Sequence, residues 1–211
     1  MDDIISEPSV IVYDDHDLAF LDIPYNDSNE FHETFSELNK EVDFTKLTLK
    51  EFENLRKVAD FDVFAISKNP YQRAFEMFKG AIIQNKEESK NISNFGIGKY
   101  FEEVLNNWNE YKSDKIITQT QVLGSVNKHS DIQLFKCENL YNAELHELNE
   151  LLEEHGLRGI RYFRRNKIYE NFINEFDDLS FEVINYIFID DFTVCDYTKQ
   201  NEIHTRKLSG G

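Results

Sequence analysis

Residues 158–167 pack Arg158, Arg161, Arg164, Arg165 and Lys167 into ten positions. Guanidinium groups present paired N–H donors that match the oxygens of phosphate and sulfate, so this run can form an anion clamp, with Arg164 and Arg165 its first candidates. The competing reading is a solvated loop that pairs with acidic side chains elsewhere. Those are abundant at the other end of the chain. Residues 1–45 hold thirteen Asp or Glu and a single Lys, Lys40, and such an acidic surface suits a protein partner with a basic one.

Six His stand at 16, 32, 129, 146, 155 and 204. No His-x-x-x-His pair or similar ligand spacing links them, so no metal site is expected. Asp177-Asp178 and Asp190-Asp191 lie in no calcium-type loop and suit cap or surface positions better than a cation site. Gly96-Ile97-Gly98-Lys99 lacks the G-x-x-x-x-G-K-[ST] spacing of a phosphate loop and reads as a helix entry. Cys137 and Cys195 are the only cysteines. They are too few for a disulfide framework, which fits two buried thiols in a reducing, cytoplasmic setting.

The elements that must position these groups follow from periodicity. With 211 residues, 40% of them hydrophobic and 14% aromatic, the chain has material for one substantial core. A single domain over residues 1–197 with a polar tail over 198–211 is expected. No apolar run reaches the ~20 residues that span a bilayer, so a soluble protein without membrane contact is expected. The net charge of −17 argues against nucleic acid as a partner, because such binding needs basic surface to displace counterions. Twenty Asn against six Ala, with abundant Ile, Lys, Phe and Tyr, point to an A/T-rich genome, viral or bacterial, with a virion location among the alternatives.

Val10–Tyr13 and Leu18–Ile23 read as a strand or hairpin pair ending at Pro24. Phe31, Phe35, Leu38 and Val42 give a helical spacing over residues 30–42, with Ser28 or Asn29 as N-cap. A short helix is expected over 49–58. Asp62–Ser67 is the compact apolar run of a buried parallel strand, and Pro70 opens a helix running to about Lys79. Further helices are expected over 95–111, 143–155, 169–176 and 180–192, with a strand at 132–135. Alternating β and α elements imply an α/β fold with a mostly parallel sheet covered on both faces, whose ligand crevice lies at the strand C-termini.

Residues 61–80, FDVFAISKNPYQRAFEMFKG, resemble the second signature of the carbohydrate-type P-loop sulfotransferases, a strand followed by R-[DN]-P-x-x-R-x-x-S-x-[YF]. The resemblance continues in the family's order through KYFEEVL at 99–105, HSDIQLFKCENLYNAELHELNELLEEHGL at 129–157 and YENFINEFDDLSFEVINYIFIDDFTVCDY at 169–197. It implies a sulfotransferase-like, P-loop-type sheet flanked by helices. The activity it implies is transfer of a sulfuryl group from 3′-phosphoadenosine-5′-phosphosulfate (PAPS) to an acceptor hydroxyl. The donor-binding residues it implies are Lys68, Arg73 and Ser28, with the basic run at Arg164 and Arg165 following the helix that leads into the family's nucleotide-binding loop.

The chain departs from the family where the donor anion is gripped. The first signature, I-P-K-T-G-G-T-S, is matched by Ile23-Pro24-Tyr25-Asn26-Asp27-Ser28-Asn29-Glu30, which puts Tyr25 in place of the Lys and Asp27 and Ser28 in place of the glycines. Lys68 replaces an Arg and Glu76 a Ser. The segment H-x-x-P-Q corresponds to residues 115–119, so the family's general-base His is missing and Gln119 alone agrees. His16 and His32, on either side of the altered loop, are the remaining candidates for a base. A unit charge at 4 Å is worth about 4 kcal/mol at an effective dielectric near 20, against ~0.3–1 kcal/mol from an exposed helix dipole. Asp27 and Glu30 are therefore expected to oppose an anionic donor. Two readings follow: an active PAPS-dependent enzyme, or a catalytically inactive relative with a binding or structural role.

Overall fold

A computed structural model describes residues 7–55, 60–84, 89–106, 117–126, 131–140, 143–161 and 172–200. In chain order these form β1 (Ser9–Tyr13), β2 (Leu18–Asp22), α1 (Ser28–Leu38), β3 (Thr45–Thr48), α2 (Leu49–Glu53), β4 (Asp62–Ser67), α3 (Pro70–Gln84), α4 (Ser89–Asn106), α5 (Gln119–Val126), β5 (Ile132–Lys136), α6 (Ala143–Glu154), α7 (Asp178–Ile187) and α8 (Ile189–Val194). Backbone contacts divide the chain into two compact units. One comprises Ile5–Lys68 and Gln119–Asn166, and the other Asn69–Thr118 and Lys167–Gly211 together with Met1–Ile4.

The first unit holds the whole sheet, five strands in the order β3-β1-β2-β4-β5. The α/β class is the expected one. The sheet, however, is mixed and not mostly parallel: β2 pairs in parallel with β4 and β4 with β5, whereas β1 is antiparallel to both β2 and β3. The physical reason is the short β1–β2 connection. A turn at Asp14–His16, closed by Asp17 in the left-handed region at φ 48°, is too short for the crossover that parallel strands require. β3 then adds antiparallel to the outer edge of β1, where its TKLT sequence lies exposed or half-buried.

Alternation sorts the strands' side chains. Ile11, Tyr13, Leu18, Phe20, Phe64, Ile66 and Phe135 form one core with Phe31 and Phe35 of α1 and Leu148, Leu151 and Leu152 of α6. The Phe20 ring lies tilted against its neighbours, with centroids 4.7 Å from Phe31 and 5.0 Å from Phe64. All three are withdrawn from solvent, and each contributes roughly 1.5–3 kcal/mol by burial. Val10, Val12, Ala19, Leu21, Val63 and Ala65 alternate to the opposite face and are equally buried, which explains why β2 and β4 read as continuous apolar runs.

α1 stops at Leu38, short of the expected Val42, because Asn39 caps it. Its Nδ2 donates to Phe35 O at 3.2 Å and to Arg158 O at 3.1 Å, and its Oδ1 accepts from Arg158 N at 2.9 Å. α6 closes at Gly156, φ 73°, where Leu157 N donates to Leu152 O at 2.9 Å, the C-terminal pattern that glycine permits.

The second unit is helical in its described residues. Tyr71 is its aromatic centre, with ring centroids of Phe176, Phe181 and Phe192 at 6.0, 5.4 and 4.9 Å. Its hydroxyl donates to Asn185 Oδ1 at 2.5 Å and accepts from Gln200 N at 2.9 Å. α3 begins at Pro70 as expected. Gly96 leaves helical geometry (φ 75°, ψ 173°) and kinks α4, so Gly96–Lys99 is the helix entry that its spacing suggests. Gly98 faces the start of α7, where an added Cβ would lie 2.7 Å from Ser180 N.

No helix among the described residues is long and apolar enough to cross a membrane.

Candidate functional site

β2, β4 and β5 run parallel, so their C-terminal ends open on one edge of the sheet, where α/β folds place their ligands. Three segments meet there: the loop Ile23–Asp27 after β2, Ser67-Lys68 at the end of β4, and Cys137 after β5.

The loop has an unusual backbone. Tyr25 and Asp27 take φ of 67° and 57° without being glycine. The left-handed region costs an L-residue roughly 1–2 kcal/mol, and bulky residues such as Tyr rarely enter it. Polar contacts hold the loop in place. Asn26, fully buried, donates through Nδ2 to Ile66 O at 2.7 Å and Gln119 Oε1 at 2.8 Å. Ser28 Oγ donates to Ile23 O at 3.2 Å. Gln119, also fully buried, grips the backbone of Lys68 from both sides: Lys68 N donates to Oε1 and Nε2 donates to Lys68 O, each at 2.9 Å.

Within this frame Asp27, the residue preceding α1, is the central anion. Lys68 Nζ lies 2.6 Å from its Oδ1, and the Lys68 and Asp27 side chains are 0% and 7% exposed. Cys137 donates its thiol proton to Asp27 Oδ2 at 3.0 Å. Burial, reinforced by the Asp27 charge, pushes the Cys137 thiol far above its ordinary range despite Lys68. It is therefore a hydrogen-bond donor and not a thiolate nucleophile. Burial, then Asp27, also raises the pKa of Glu30 on the first turn of α1. Both carboxylate oxygens of Asp27 are engaged, one by a cation and one by a neutral donor.

The residues singled out from sequence scatter. Lys68 and Ser28 belong to this edge, although the Ser28 hydroxyl is turned onto its own loop. His16 sits in the β1–β2 turn, at the N-terminal end of β2 and so at the opposite edge of the sheet; the expectation that it flanks the loop fails because the hairpin carries it away. His32 lies on α1 with its ring edge-on to Phe44 at 4.9 Å, and burial lowers its pKa. Arg73 belongs to the helical unit and is fully buried there, Nη2 donating to Ile117 O at 2.5 Å and Nη1 standing 3.9 Å from Asp191. Arg164 and Arg165 lie outside the described residues. Arg158, from the same run, lines a groove of about 440 Å³ with Glu37, Lys40 and Glu41, a mixed-charge surface and not an anion clamp.

No protein-family model, curated protein or solved structure matches the chain. Among those described, no group of three or more His, Cys, Asp or Glu is arranged to hold a metal. Sequence reasoning missed the roles of Cys137 and Asn26. For Asn26 the sequence holds no signal. Cys137 was legible as a buried thiol, but its contact with Asp27 spans 110 positions and leaves no mark in local spacing.

Proposed function

We propose that this chain is a sulfotransferase-like protein that has exchanged sulfuryl transfer for a binding or structural role. The observation that carries the reading is the Lys68–Asp27 pair at 2.6 Å. The resemblance gives Lys68 the task of holding a donor phosphate and aligns Asp27 with a glycine of the loop around the 5′-phosphosulfate. Asp27 keeps a glycine-like left-handed backbone but adds a carboxylate, which meets the cation that an anion would need.

Electrostatics supports the same reading. A donor anion entering beside Asp27 would have to displace a buried carboxylate from its cation, and removing one partner of such a pair costs about 3–5 kcal/mol. Tyr25, in place of the family's Lys, returns no positive charge. Arg73, the other donor-binding candidate, is directed at Ile117 O and lies close to Asp191.

The test is turnover of PAPS labelled in its sulfuryl group, with simple hydroxyl and amine acceptors. The proposal expects neither transfer nor accelerated hydrolysis above buffer. Turnover that disappears in Lys68→Ala would establish the enzyme reading instead.

A further inference from the structure

From residue 168 to residue 198 the sequence holds eight Asp or Glu and no Lys or Arg. α7 and α8 lie within this stretch. Asp177 starts α7 by accepting from Ser180 N at 2.8 Å. Backbone bonds from Phe188 N to Ile184 O at 3.0 Å and from Phe192 N to Phe188 O at 3.2 Å carry the helical path across the junction between the two helices. Helical spacing therefore sorts the whole stretch into two sides. Phe181, Ile184, Phe188 and Phe192 form the buried one.

The solvent side carries apolar residues as well. Six large hydrophobic residues stand well exposed among the described residues, and three of them fall here: Tyr186, Ile189 and Val194, at 67%, 49% and 48%. Tyr186 and Ile189, three positions apart, are neighbours on the helix surface. Asp178, Glu182 and Asp190 stand exposed among them. Charge decides what can cover such a side. A second copy of the chain would bring these carboxylates against their own kind, and an anionic lipid surface would be repelled in the same way. A segment with apolar side chains three and four positions apart, set between Lys or Arg, meets both demands: its apolar groups bury Tyr186, Ile189 and Val194 while its cations reach the carboxylates. From Glu182 to Val194 this side extends roughly 20 Å at 1.5 Å per residue, the length of a partner helix of three to four turns.

We infer that the solvent side of α7 and α8 docks a basic amphipathic helix of a partner protein, with Tyr186 and Ile189 as its apolar anchors and Glu182 and Asp190 as the carboxylates that fix the partner's orientation. The inference uses none of the residues around Lys68. It stands whether or not sulfuryl transfer has been lost.

The test is fluorescence anisotropy of the full chain, at physiological salt, with a fluorescein-labelled synthetic helix that carries Leu on one side and Lys on the other. Saturable micromolar binding is expected. Tyr186→Ala and Ile189→Ala should each weaken it at least about tenfold. Glu182→Gln combined with Asp190→Asn should weaken it about threefold or more and make it less sensitive to salt. A peptide of the same composition, scrambled off the helical pattern, should bind at least about tenfold more weakly. Phe44→Ala, which removes an exposed ring outside these helices, should leave the affinity unchanged. Absence of saturable binding, equal binding of the patterned and scrambled peptides, or unchanged affinity in both Ala variants would overturn the inference. So would a dimer in sedimentation equilibrium that Ile189→Ala dissolves, because a second copy would then be the occupant.

Discussion

The Lys68 ammonium and the Asp27 carboxylate face each other at 2.6 Å, one closing β4 and the other opening α1, both shielded from solvent. A buried charge that loses its partner is left without the water that would otherwise solvate it. Asp27→Ala and Lys68→Met should each destabilise the chain by about 3–5 kcal/mol, measured by urea unfolding. The double variant should recover part of that loss. Additive losses would mean that the two groups do not interact.

Gln119 predicts a smaller effect. Its amide serves the backbone of Lys68 on both sides and accepts from Asn26. Gln119→Leu keeps the approximate volume and strands these groups, so it should cost about 1–3 kcal/mol per buried group left unsatisfied. Thermal unfolding would show this, and an unchanged midpoint would deny the clamp.

How much of this was legible in the sequence differs by element. β2 and β4 announced themselves because both faces of each strand are buried and LAFLD and DVFAIS are nearly continuous apolar runs. β3 did not, because an exposed edge strand of sequence TKLT has no apolar face to read. α5 escaped as well, its buried residues Val122, Leu123 and Val126 being few and interrupted by Gly124. The mixed sheet follows from the turn at Asp14–His16, whose shortness was visible but whose consequence for strand direction depends on pairing. At the site, Lys68 was placed by the strand before it. That Asp27 would be its partner was not, because the contact spans 41 positions; only the acidity of the loop could be read.

Cys137 provides a pH prediction. Its thiol pKa is raised in the fold, chiefly by burial. The stability this contributes is fully present below the unfolded thiol value of about 8.5 and is lost above it, because the unfolded chain then releases a proton that the folded chain keeps. The slope is about 1.4 kcal/mol per pH unit for one group. Denaturation between about pH 8.5 and pH 10 should show a steeper decline for the unmodified chain than for Cys137→Ala. The native thiol should also resist alkylation at neutral pH, and rapid native labelling of Cys137 would contradict its burial.

Gly98 tests the packing of the helical unit. A methyl group there would meet Ser180 N at 2.7 Å, which is backbone and cannot rotate aside. Gly98→Ala should cost about 1–3 kcal/mol despite the better helix propensity of alanine. A stabilised variant would show that α4 and α7 are further apart than described.

The central claim is that Asp27 occupies the cation an anionic donor would use, and calorimetric titration with adenosine-3′,5′-bisphosphate addresses it most directly. The unmodified chain should give no saturable heat at millimolar nucleotide. Micromolar binding that Lys68→Ala abolishes would contradict the account.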